Sequence, residues 1–185
     1  MSLNNERIRF YFRHRDQIEE WAALRTEAAV AVDAWLADLQ PDVEALAREL
    51  ASDVRVHAIL DEAYPSFRLV RSGWGFGDNN NPPACIAFEW QRSRTTMGDG
   101  YFPYVGMRAS QTEPLAKPYR EAISRANLRR KGDKNTPFWA ALRYVGPEGD
   151  FPESADGYRV KLLKALRDVW ETYAPSIDGV GARPA

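Results

Sequence analysis

Apolar residues in this chain recur with two periods, and the change from one to the other divides it into elements. Ile18, Trp21, Leu24, Ala28, Val32, Trp35 and Leu39 return at intervals of three and four, which predicts one apolar stripe on a helix of about six turns. Asp16, with Glu19 three residues on, is a capping-box variant suited to its N-terminus. Residues 7–15 mix Ile8, Phe10, Tyr11 and Phe12 with cations, and read as a short first helix or as the start of the long one. Pro41 stops the long helix and opens a second, with Val43, Leu46, Ala47 and Leu50 on its buried side. These two are expected to pack as a hairpin.

Asp53 begins a period of two. Val54, Val56, Ala58 and Leu60 alternate with Arg55, His57 and Ile59, a strand. After a turn at 61–65, Phe67, Leu69 and Arg71 alternate with Arg68, Val70 and Ser72 as its hairpin partner. Residues 73–83 form a long loop rich in Gly, Asn and Pro. The central strand is Cys85 to Arg92. Ile86, Phe88 and Trp90 fall on one side, Cys85, Ala87, Glu89 and Gln91 on the other. A turn near Gly98–Gly100 leads to a fourth strand, 101–109, which Pro103 makes an edge or bulged one. A crossover helix follows from about Pro118, with Tyr119, Ala122, Ile123 and Ala126 inward and a cationic, glycine-capped end at 129–132. Residues 138–145 are a fifth strand, and Ala155 to Tyr173 a last helix that Pro175 ends. The reading is an α+β fold: a mainly antiparallel meander of four or five strands, with the N-terminal helical hairpin, the crossover helix and the C-terminal helix packed on it. One domain spans 1–175, and 176–185 reads as a loose tail.

Composition narrows the partners. A net charge of −1 gives weak support for nucleic-acid binding, which needs a cationic surplus; the basic run from Arg120 to Lys134 has a sufficient reason in the dipole of its own helix. No apolar run reaches the roughly 18 residues of a membrane span, and no signal-peptide core is present. Cys85 is the single cysteine, so no disulfide forms within the chain and the thiol reads as buried. A cytoplasmic protein is the expectation, and a homodimer through a sheet edge or the helical hairpin is compatible with it.

Chemistry is expected on the polar side of the central strand. Glu89 and Gln91 stand there, with Arg68 or Arg71 and Arg108 brought close by a simple meander, and His57 joining from the first strand. Guanidinium groups flanking a carboxylate can hold an anionic ligand through paired hydrogen bonds. Trp74 and Phe76, in a loop with glycines at alternating positions, are candidates for a lid over that face. Those glycines open onto acid and amides rather than a helix, so they form no phosphate loop. His14 and His57 make no zinc pattern, no serine sits in a G-x-S-x-G elbow, and no cofactor is implied. A non-catalytic module binding a small anion or a protein is the first reading.

Glu89-Trp90-Gln91 also resembles the glutamate-x-lysine element of the restriction-endonuclease-like superfamily, with glutamine in the lysine position. The resemblance implies a Mg²⁺-dependent nuclease in which Glu89 and an upstream acid, Asp78 or else Asp61 in a turn, share the metal. Asp78 falls in a loop rather than a strand.

Overall fold

The computed structural model describes residues 5–74, 82–92, 94–95, 102–126, 133–151 and 153–181. Five antiparallel strands form one sheet in the order β1-β2-β3-β4-β5: Val54–Ile59, Ser66–Arg71, Cys85–Glu89, Tyr104–Arg108 and Trp139–Tyr144. Each strand pairs with its neighbour in sequence, as short connections favour. Around the sheet lie helices α1 (Glu6–Arg13), α2 (Arg15–Ala37), α3 (Gln40–Leu50), α4 (Lys117–Arg125) and α5 (Ala155–Gly181). The fold is α+β, a complete meander with helices from both ends of the chain.

Strand register assigns the faces. Glu89 pairs with Ser66 and Tyr104, Ala87 with Arg68 and Gly106, and Cys85 with Arg108, and directly opposed residues share a face. The alternate set, Phe67, Leu69, Ile86, Phe88, Val105 and Met107, is fully buried. Arg71 belongs to this set by parity and reaches Asp178 of α5, which marks it as the helix-covered face. Phe67, Phe88 and Trp90 pack ring against ring there, with centroids 5.4–5.9 Å apart, and Trp90 Nε1 donates to Asp33 of α2 at 2.8 Å.

Several expected boundaries move. The 7–15 segment is a separate helix, broken from α2 at His14, whose N–H closes α1 onto Phe10 and Tyr11. β4 is interior rather than an edge: Pro103 lies just before it, and its ladder with β5 is irregular between Met107 and Arg108. α4 leads between adjacent antiparallel strands and packs on α5; the cationic end expected at 129–132 lies outside the described residues. Pro175 does not end α5, which runs on to Gly181. An internal proline costs a helix about 3 kcal/mol. Here Ile177, fully buried, and Asp178, bonded to Arg71 and Trp74, hold the turns beyond it. Residues 176–181 are therefore part of the packed body, not a tail.

Candidate functional site

The other face of the sheet carries a polar cluster on three adjacent strands. Arg68 from β2, Glu89 from β3 and Arg108 from β4 share this face because all three lie at even spacing from the Ala87 rung. Glu89 and Arg68 are 6% and 5% exposed, so a carboxylate and a guanidinium sit together in a region short of water. The Tyr104 hydroxyl donates to Glu89 Oε1 from the opposing rung, and Arg68 Nε donates to Ser66 Oγ at 3.2 Å. Buried polar groups need such partners, since each left unmet costs about 1–3 kcal/mol.

Burial governs the electrostatics. Removal from water raises the proton affinity of Glu89 above the ordinary carboxyl value. The Tyr104 hydrogen bond and the charges of Arg108 and Arg68 oppose that rise without cancelling it, while Glu62 adds to it. The same desolvation, with Arg108 nearby, lowers the affinity of Arg68 for its proton. Burial, with the Glu89 charge and hydrogen bond adding to it, moves Tyr104 upward, so the phenol stays a donor. Burial pushes the Cys85 thiol up to about 11, an inert core group on the Arg108 rung.

This cluster lies on a cavity of about 530 Å³ that six aromatic side chains help to line. In an antiparallel meander the starts of β2 and β4 and the ends of β3 and β5 meet at one end of the sheet. Tyr64 and Phe102, each followed by a proline that opens the next strand, come together there with Tyr144. Trp139 and Phe138 enter from the start of β5. The ring of Tyr104 meets those of Trp139 and Tyr144 edge to face, at 5.3 and 5.6 Å between centroids. Gln91 and Thr95 close one side through a tight turn, Thr95 N–H to the Gln91 carbonyl at 2.9 Å and Gln91 N–H to Thr95 Oγ1 at 3.2 Å.

Of the residues singled out in the sequence, Glu89, Gln91, Arg68 and Arg108 line the cavity. His57 opposes Arg68 and shares its face, but it does not line the cavity. Arg71 does not join the cluster: three residues from Arg68, it has the opposite parity and pairs with Asp178 and Asp53 beneath α5. Trp74 is no lid. Its indole is buried on the helix side, stacked on Trp170 at 5.1 Å and donating to Asp178 Oδ1 at 2.6 Å. Phe76 and Asp78 lie outside the described residues.

The aromatic walls went unread in the sequence. Tyr104 was accessible by parity, since it stands four residues before Arg108 on one strand. Tyr64 and Phe102 carried a weaker signal, an aromatic before proline at two turns of the same sheet end. Trp139 was hidden, because the irregularity at Met107/Arg108 brings it opposite Arg108 instead of Ala140.

Among the described residues, no group of three or more His, Cys, Asp and Glu is arranged to hold a metal, and no helix is long and apolar enough to cross a membrane. Compared with protein-family models, with curated proteins and with solved structures, the chain shows no match.

Proposed function

We propose that the protein binds a small, flat molecule bearing an acidic group, taken up in the cavity on the polar sheet face. The observation that carries this reading is that Arg68, Arg108 and the buried Glu89 share one sheet face and line one cavity together with aromatic side chains. Arg68 and Arg108 face the buried carboxylate of Glu89, which has a hydroxyl partner in Tyr104, while the second carboxylate of the lining, Glu62, stands at the exposed rim, where water screens it. Glu89 is a counter-charge shared by the two arginines, and a ligand anion entering the cavity would meet both guanidiniums. Guanidinium forks suit carboxylate and phosphate groups, while Tyr64, Phe138, Trp139 and Tyr144 offer ring faces and edges to a planar body. A volume near 530 Å³ is ordinary for small-molecule sites.

A shared Mg²⁺ has less support here. A hard cation asks for ionised oxygens, whereas Glu89 is buried, raised in proton affinity and flanked by two cations.

Matched probes test the proposal by thermal shift, since a ligand of the folded state raises its melting temperature. Benzoate, indole-3-acetate and adenosine monophosphate are compared with benzamide, indole-3-acetamide and adenosine. The proposal expects at least one acidic probe to raise Tm more than its neutral partner, and Arg108→Gln to remove the difference. Equal shifts within every pair, or shifts that survive Arg108→Gln, refute it.

A further inference from the structure

The two oxygens of Glu89 are placed differently. Tyr104 donates to Oε1. Oε2 accepts no hydrogen bond from a described residue, and it is not sealed away from the surface either. Since the residue is 6% exposed and lines the cavity, that oxygen opens on the space a ligand would enter. A carboxylate oxygen short of water and without a donor favours the state in which it carries a proton.

Among the described residues, charged and titratable groups face Glu89 from every element beside it. Arg108 of β4, Arg68 of β2 and the Tyr104 hydrogen bond favour the ionised form, and Glu62, before β2, opposes it. Cys85, on the same strand, keeps its proton at neutral pH. Tyr64 and Tyr144 bring their hydroxyls to the cavity lining. His57 of β1 shares the face beside Arg68 without lining the cavity. A ligand anion shifts this balance in one direction. It engages the same two guanidiniums and adds a like charge beside a carboxylate in a region short of water. Two anions crowded into one such site do not both stay ionised, and one of them takes a proton. A ligand carboxylate leaves that proton on the protein, because burial holds the proton affinity of Glu89 above the ordinary carboxyl value. Protonated at Oε2, Glu89 becomes a donor to the ligand while Oε1 still accepts from Tyr104.

We infer that the cavity takes an aromatic carboxylate together with a proton, and that Glu89 accepts this proton, turning from counter-charge of Arg68 and Arg108 into hydrogen-bond donor to the ligand. This rests on the reading of the cavity as an anion site and adds to it the ligand's acidic group and the condition under which the site fills. Linkage gives the sign: a complex that holds more protons than its separate parts weakens as pH rises. Affinity is greatest where free Glu89 is already protonated. Above that it falls by at most about tenfold per pH unit, and it levels off where Glu89 ionises in the complex as well.

Isothermal titration calorimetry with benzoate and indole-3-acetate tests this between pH 6 and 8. Both probes are ionised there, so a proton taken up on binding belongs to the protein. At pH 6.5, in buffers of different ionisation enthalpy, the wild-type heat should vary with the buffer in the sense of proton uptake. Its affinity should fall by about threefold or more from pH 6 to pH 8. Glu89→Gln keeps the shape of the neutral acid. It should bind the same probes with heats independent of buffer, a nearly flat pH profile, and an affinity at pH 8 no weaker than wild type. His57→Gln, on the same face, should take up the proton as the wild type does. Tm shows that each variant is folded; if Glu89→Gln is not, the wild-type heats and pH profile decide alone. Binding without proton uptake, uptake that persists in Glu89→Gln, or uptake lost in His57→Gln overturns the inference and leaves the anion reading standing. So does failure of both carboxylates to bind; if adenosine monophosphate fails as well, the anion reading falls with it.

Discussion

The Tyr104 hydroxyl donates to the Glu89 carboxylate across one rung of the β3–β4 ladder. This bond joins the two halves of the cavity, since Tyr104 is at once part of the aromatic wall and the donor that steadies the buried acid. Hydrogen bonds to charged groups contribute about 1.5–3 kcal/mol. Tyr104→Phe is therefore expected to lower stability by about 1–3 kcal/mol at pH 7, with a smaller loss at pH 4 where Glu89 is more protonated. Urea unfolding at the two pH values checks both.

Glu89 also sets a pH dependence. Its proton affinity is higher in the folded state than the ordinary carboxyl value of 4.5, so the native protein binds a proton that the unfolded chain releases. The contribution of this group to stability is complete below about 4.5 and is lost as pH rises through its raised native value. Glu89→Gln should flatten that decline, whereas Glu62→Gln, at the exposed rim, should leave it nearly intact. Denaturation midpoints from pH 4 to 8 decide between them, and an unchanged slope in Glu89→Gln would refute the assignment.

Gly106 occupies the rung between Arg68 and β5. A Cβ built there would meet the Ala141 carbonyl oxygen at 2.1 Å and the Leu142 Cα at 2.8 Å. Both are backbone atoms of β5, which cannot shift without opening the β4–β5 ladder. Gly106→Ala should cost at least about 1–3 kcal/mol and loosen Trp139, Leu142 and Tyr144 in the cavity wall. Thermal unfolding and the near-UV spectrum report the two effects.

The segment beyond Pro175 yields a separate expectation. Ile177 is fully buried and Asp178 ties α5 to Arg71 and Trp74. Ile177→Ala is expected to lose about 2–5 kcal/mol, the range for a large core side chain cut to alanine. A dispensable tail would lose nothing measurable.

These elements also mark how far the sequence could be read. Alternation in β3 fixed which side Glu89 and Phe88 would take, and antiparallel order followed from short connections. The parity that separates Arg68 from Arg71 was equally present, so only one of the two could join the cluster. Trp74 was beyond reach, because nothing local says whether a loop aromatic turns to the core or to solvent. Pro175 misled for a physical reason: the local rule against an internal proline was outweighed by contacts with β2 and the 72–74 turn, distant in sequence. The N-terminal stripe was legible as a helix, but its period did not reveal that half of it would remain uncovered.

The most direct measurement of the central claim follows the indole N–H signals of the ¹⁵N-labelled protein during titration with benzoate or indole-3-acetate. Of the six tryptophans, Trp139 alone lines the cavity as described, while Trp74, Trp90 and Trp170 pack on the helix side. The account predicts that one indole signal, assigned to Trp139 by its loss in Trp139→Phe, moves saturably in the wild type and stays still in Arg108→Gln. Movement of the helix-side indoles instead, or a titration indifferent to Arg108, would contradict it.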